Sequence, residues 1–442
     1  MQIRKPNARP LRRTTRRSFC SGAAGCAAVL FVRRDLAGVP PPAAPAGTPT
    51  RPDVAAIDHD RILAAAKHWL AQRAVPVTSL PCPRSPGTAH DYYSEAEQDT
   101  EAVIDSPDKR AALAPFTAHR DALFGLGLAV PALAAAYLLT GDPRYAAHAA
   151  EWLRAWFIDP ATRMTPRLDY ASTVYPPAPQ TVPNGDLAAI VYPGGRAEGI
   201  LETLPLVEVA QAVPFLASSG VLSEADRNAV KAWFAAYLQW LTVPEESGPR
   251  LAALARDRKD HHATSWLLQA SAYTLLGAPQ GDVERAEDSR LAALRHRFKT
   301  VTLRAQMRGD GTFPQELASP NPYRDSLFNL DMMAGVCHLL STRLDALWNY
   351  SLQDGPGMRS AIAFHFPFIA DRSAWPYRAD AEHFKELPAR RASLLLAARA
   401  YERPEYAALW KTLPADPPSA AILRTLPIHQ PVLWVRQPAP AL

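Results

Sequence analysis

The sequence predicts an all-α protein, an (α/α) toroid of about a dozen helices in antiparallel pairs. Three observations carry that reading. Apolar residues recur at the helical spacing along most of the chain. Gly-, Asp- and Pro-rich turns such as Gly141-Asp142-Pro143, Gly309-Asp310-Gly311 and Asp354-Gly355-Pro356-Gly357 interrupt them. Strands with alternating polarity are almost absent. No repeat of fixed period is visible, which argues against a regular solenoid.

Taken in order, the helices are expected near 58–73, 117–139, 143–157, 198–219, 223–241, 262–276, 286–307, 325–341, 357–369, 388–401 and 404–413. The 223–241 segment shows the logic. Ser223 suits an N-cap and Asp226 sits in the first turn, where the helix dipole favours negative charge. Val230, Trp233, Phe234, Tyr237, Leu238 and Leu241 then form one apolar face, and Pro244 lies just past the end. Such pairs, closed into a ring, bury one face of each helix and leave a central cleft. Proline-rich loops, Tyr175–Pro179 and Ser319–Pro322, would line its rim.

Composition sets limits. Of 442 residues, 48% are hydrophobic and 21% charged, which excludes a disordered chain, and 43 are proline, about twice ordinary usage. The net charge of +5 is misleading. Residues 1–50 hold nine Lys/Arg and one acid, leaving 39 bases against 42 acids in the rest, so non-specific nucleic-acid binding loses its support. No run of about 18 uninterrupted apolar residues occurs, and a soluble mature protein without a membrane span is expected.

The leader accounts for the basic bias. Arg16-Arg17 in Thr14–Phe19, the short apolar run Gly22–Val32 and the following Arg33-Arg34 resemble a twin-arginine export signal. Cleavage near Ala44–Ala46 makes residues 1–46 the signal peptide. A linker at 47–56, the toroid at 57–435 and a tail at 436–442 follow, with a periplasmic or secreted location. Cys82 and Cys337 remain after cleavage, and the sequence leaves open whether they pair.

Four segments stand out chemically: His90–Glu95, Tyr192–Arg196, Lys259–His262 and Asp310–Asn329. The paired histidines are the sharpest signal. His261 and His262 open a helix, where adjacent side chains diverge by about 100°; one can enter a cleft while the other makes a structural bond. The alternatives are N-capping by Asp260 with two half-exposed imidazoles, or a metal site, which lacks the usual i, i+4 spacing. Arg196 follows two glycines that permit close backbone approach to a ligand, or it is a surface arginine. Tyr323 is a general acid/base or a buried aromatic. Glu316 and Asp325 are a glycosidase carboxylate pair or helix caps. Tyr92 and Tyr93 stack on sugars or pack in the core. Nucleotide, dinucleotide and α/β-hydrolase motifs are absent in their required contexts.

Across roughly residues 90–435 these segments resemble the alginate lyase family. The resemblance rests on Leu139–Ala146, Asp159–Met164, Asp260-His261-His262-Ala263-Thr264-Ser265-Trp266, Asp310–Leu317 and Ser326–Asp331. It implies an (α/α) toroid and β-elimination on a uronate-containing acidic polysaccharide, with no obligatory metal and no cofactor. It implies that His262 is the family histidine, with Gln269 behind it, and that Arg196 lies in the arginine loop. The sequence departs from the family at His261, Ser319 and Asp325, where asparagine, arginine and tyrosine are expected, and the tryptophan-rich stretch after Glu95 is missing. The expected catalytic set is His262, His261 and Tyr323, with Arg196, Arg324, Tyr192, Tyr93 and Gln315 binding substrate. A non-catalytic glycan-binding toroid and a carboxylate-based glycoside hydrolase are the alternatives.

Overall fold

A computed structural model describes residues 51–96, 114–174, 194–243, 251–278 and 289–438. The leader, the 175–179 loop and Tyr192 lie outside these residues. The fold is an (α/α) toroid. Helices Ala118–Thr140, Leu206–Ala217, His261–Gly277, Pro322–Leu340 and Ala392–Tyr401 pack consecutively against one another as an inner layer. His59–Leu70 and Pro143–Leu153 cover the first, Glu224–Thr242 the third and Pro404–Thr412 the last.

The division into layers follows from side-chain pattern. Helix His261–Gly277 is buried at nearly every position from His262 to Thr274 and is apolar around most of its circumference. An element with no polar face must lie inside. Outer helices keep one wet side. In Glu224–Thr242, Val230, Trp233, Phe234, Tyr237, Leu238 and Leu241 are buried, and Ser223 Oγ accepts the Asp226 N–H at 3.0 Å, as its sequence predicts. Ala118–Thr140 and Ala197–Ala217 are long and apolar enough to cross a membrane by composition; more than half of each apolar window is buried in the fold.

Contacts between the chain's two ends close the ring. Asp58 accepts from Arg390 at 2.6 Å and from Arg61 at 3.0 Å, and Arg61 also donates to the His429 carbonyl at 3.1 Å. The Glu208 carboxylate, on an inner helix, accepts from the His429 and Gln430 amides at 2.7 and 2.9 Å and from the Trp434 indole at 3.2 Å. Val54–Ile57 is a helical turn with Val54 buried.

Several boundaries differ from expectation. The 198–219 segment is a 3-10 helix, Ala197–Thr203, followed by Leu206–Ala217, with Pro205 between them. The 286–307 segment passes through a π turn at Phe298–Thr302. Helix Pro322–Leu340 starts three residues early because Pro322 fits the first helical position. The short helices Leu251–Arg256 and Pro314–Ala318 were not expected. Neither were two short parallel strands, β1 (Tyr93–Glu95) and β2 (Tyr170–Thr173), paired Tyr93 to Tyr170. Cys82 and Cys337 are both free.

Candidate active site

The site assembles at the N-terminus of helix His261–Gly277. Asp260 caps it, accepting the His262 N–H at 3.1 Å. The same carboxylate oxygen accepts from His262 Nδ1 at 3.0 Å. Nδ1 therefore carries the proton, and Nε2 keeps its lone pair with no partner among the described residues. The side chain is 8% exposed. Burial, reinforced by the charge on His261, holds its pKa below the ordinary value despite Asp260.

His261 is bound by a different segment. Its main-chain N–H and Nδ1 both donate to Glu316, at 2.7 and 2.8 Å. Burial alone would lower its pKa; the charge and hydrogen bond of Glu316, with Asp325 and Asp260, outweigh that and raise it. Burial also pushes the Glu316 carboxyl up. Three N–H donors on its two oxygens, the third being Asn329 Nδ2 at 3.1 Å, favour the charged form, and we assign a carboxylate–imidazolium pair. The two imidazoles do not diverge as the helical spacing predicts. They stack, 4.3 Å between centroids and 28° between planes, because carboxylates from two segments draw each ring by its Nδ1.

The segments that position these groups are set locally. Gly311, at φ +89°, turns the chain ahead of Glu316, and a Cβ there would lie 2.2 Å from the Ser360 carbonyl oxygen. Asn329 also donates to Gln306 at 2.9 Å, tying Glu316 to the core. Gln269, two turns along the same face of the helix from His262, donates to the Ile200 carbonyl at 2.8 Å and accepts from Thr203 at 2.9 Å. That network fixes the histidine helix against the 3-10 helix that carries Glu198.

Arg196 joins the site through a chain of ion pairs. Its guanidinium meets Glu198 at 3.3 Å, Glu198 meets Arg258 at 3.0 Å, and Arg258 meets Asp260 at 2.8 Å. The Arg196 side chain is 43% exposed. Its backbone lies on β2, donating to the Ala171 carbonyl at 3.0 Å, and a Cβ at Gly195 would sit 2.9 Å from Ala171 main-chain atoms. The sequence reading missed Arg258 and Glu198. The charged run Asp257–Asp260 ahead of the histidines was the available signal.

On the opposite flank, Asp325 accepts from Ser319 Oγ at 2.7 Å and from Arg324 Nε at 3.0 Å. Asp325 is one turn inside helix Pro322–Leu340, so it is not the cap expected for it; Asp380 takes that role, accepting the Tyr323 and Arg324 amides at 2.7 and 3.0 Å. Gln315 is exposed on the short helix beside Glu316.

Three expected residues fall elsewhere. Tyr323 is fully buried against Trp375 and Phe384, and its hydroxyl donates to the Phe368 carbonyl at 2.8 Å. Position two of a helix turns that ring into the core, where its hydroxyl is spent on a main-chain carbonyl, which tells against its reading as acid/base. Tyr93 is 3% exposed with its hydroxyl on Glu95 at 2.6 Å, and Tyr92 is buried with its hydroxyl on Glu202 at 2.6 Å, so neither offers a stacking face. Glu316 is 1% exposed with both oxygens occupied, which leaves it a positioning group rather than half of a hydrolytic carboxylate pair. Among the described residues no cluster of three or more His, Cys, Asp or Glu is arranged as a metal site.

Comparison with known proteins places this geometry in context. An alginate lyase from Bacteroides ovatus has a similar fold, with TM-score 0.66 and 24% identity over 87% of this chain and 94% of that one. An alginate lyase from a Sphingomonas species is more distant, at TM-score 0.43 and 14% identity over 81% and 88%. A variant of the latter, solved with a tetrasaccharide, gives TM-score 0.42 and 15% identity over 80% and 87%. A search of curated proteins finds no match. The profile described as alginate lyase matches residues 77–375, which include both histidines, Arg196, Glu316 and Asp325. This chain belongs to the alginate lyase family.

Proposed function

We propose that the protein is a polysaccharide lyase that cleaves a uronate-containing, alginate-like polysaccharide by β-elimination. The observation that carries this reading is the stacked pair of imidazoles with opposite roles, each tied by Nδ1 to its own carboxylate. Elimination requires a cation to neutralise the uronate carboxylate, a base for the C5 proton and an acid for the leaving O4. His261, held charged by Glu316, supplies the cation, and Arg196 adds a second. His262, neutral with a bare Nε2, is the base; the imidazolium it becomes then protonates O4. Opposite pKa shifts on neighbouring groups are the usual sign of such a division of labour.

One nitrogen that takes H5 and delivers to O4 works where both lie on the same ring face, as in mannuronate and glucuronate units. Guluronate places them on opposite faces. The test is incubation with polymannuronate, glucuronan and polyguluronate, followed by absorbance at about 235 nm from the unsaturated sugar end. Activity on the first two, little on the third and none in His262→Ala is expected. No product from any polymer sinks the reading. Ser319 and Asp325, bonded to each other at 2.7 Å, support a second reading as a non-catalytic glycan-binding toroid; oligouronate binding without turnover selects it.

Export by the twin-arginine route to the periplasm or beyond is part of this proposal, supported by Arg16-Arg17 and the apolar run after them. Replacing both arginines with lysine should retain the protein in the cytoplasm, and unaltered export would refute the assignment.

A further inference from the structure

We propose that Tyr377 and Arg378 form a uronate-binding subsite beside the histidine pair, the phenol ring stacking on a sugar and the guanidinium holding its carboxylate. The proposal rests on the lyase reading for its place along a polymer. It lies beyond residue 375, where the family match ends.

The loop that carries these residues is clamped onto the start of helix Pro322–Leu340. Asp380 accepts the Tyr323 and Arg324 amides, the Ala381 N–H donates to the Pro320 carbonyl at 3.1 Å, and the Glu382 N–H donates to Asn321 Oδ1 at 3.1 Å. The Trp375 indole donates to the Arg378 carbonyl at 3.1 Å. Tyr377 and Arg378 are thus exposed on a backbone fixed from both sides, the preorganisation a binding site needs.

Their placement links them to the site. Arg378 Nη2 donates to the Ser319 carbonyl, Ser319 Oγ donates to Asp325 at 2.7 Å, and the charge of Asp325 acts on His261. Arg196, Arg258 and Arg324 each have a carboxylate partner. Arg378, although exposed, has no carboxylate within ion-pair distance among the described residues. One Nη2 N–H is spent on the Ser319 carbonyl, and the remaining N–H groups of the guanidinium, with no partner among the described residues, are open to a ligand carboxylate. Tyr377 is 42% exposed, one of five large apolar side chains so exposed among the described residues. Its ring is braced by Trp375 at 5.3 Å and Phe364 at 6.4 Å. An exposed aromatic face next to an unneutralised guanidinium fits a pyranose that bears a carboxylate.

The test uses saturated oligomannuronates and their methyl esters, titrated into His262→Ala by calorimetry, with Arg378→Ala, Arg378→Lys or Tyr377→Ala added. Arg378→Ala should weaken oligomannuronate binding about tenfold and leave the ester's affinity unchanged. Arg378→Lys should recover part of the loss, and Tyr377→Ala should weaken acid and ester alike. In the otherwise wild-type enzyme, Arg378→Ala should raise KM for polymannuronate about tenfold, the loss falling on KM rather than kcat. Thermal unfolding of each variant separates these effects from misfolding. Affinity within twofold for Arg378→Ala, equal losses for acid and ester, or no oligomannuronate binding to His262→Ala overturns the subsite. Binding that depends on Arg378 in a protein that forms no unsaturated product keeps the subsite and overturns the lyase reading instead.

Discussion

Replacing Glu316 with glutamine tests the division of labour between the histidines. The side chain keeps its shape, so Oε1 can still accept the His261 and Asn329 N–H groups found at 2.7 and 3.1 Å. What disappears is the charge facing His261 Nδ1 at 2.8 Å. A hydrogen bond to a charged group is worth about 1.5–3 kcal/mol and a neutral one about 0.5–1.5 kcal/mol, so the fold should lose about 1–2 kcal/mol. The sign with pH follows from the raised pKa of His261. A cation stabilised by folding contributes fully below the ordinary histidine value and loses that contribution as pH rises through the raised folded value. In the variant the largest raising influence is gone, and burial draws His261 back toward its neutral form. The stability gap in urea unfolding should therefore be widest below about pH 6.5 and close on the alkaline side. With the cation gone, kcat on polymannuronate should fall about 10²–10³-fold, the usual cost of one preorganised charge stabiliser. A variant within threefold of wild type in kcat/KM, with a stability gap independent of pH, would refute the reasoning.

Asp260→Asn should keep the helix, since asparagine caps as well as aspartate, yet lower kcat by about 10²–10⁴-fold because the amide no longer holds the His262 tautomer as a charged acceptor does; steady-state rates beside circular dichroism check both halves. Tyr323→Phe should cost about 1 kcal/mol in urea unfolding, from the lost bond to the Phe368 carbonyl, with activity within twofold. Loss of activity in that variant with the fold intact would return the acid/base role to the phenol. Asp380→Ala frees two amides at the start of helix Pro322–Leu340 and should destabilise by about 1–2 kcal/mol, with Asp380→Asn recovering most of it.

Much of this architecture was legible because its signals are local. The 223–241 helix, with its Ser223 cap and six-residue apolar face, follows from spacing and capping. Capping by Asp260 was the alternative to a site, with both imidazoles half-exposed; the cap is present, while the imidazoles are 14% and 8% exposed. Arg196 was singled out because two glycines precede it. The misses have a common cause. Tyr323 is a good acid/base by residue type, and only the packing of Trp375 and Phe384 around it shows that its hydroxyl is spent inside. Arg258 and Glu198 carry no motif, and they matter because 60 residues of chain fold back to bring them together.

The amino-acid order by itself determined the all-α class, the limits of helices such as Glu224–Thr242 and the seating of His261 and His262 at a helix start, since helical period, caps and turns act between near neighbours. Tertiary structure decided which carboxylate each imidazole meets, and hence the direction in which each pKa moves. Glu316 lies 55 residues from His261, and the Asp380 loop lies 56 residues from the amide of Arg324 that it caps. Charge state depends on distance and burial in space, and those exist only once the ring has closed.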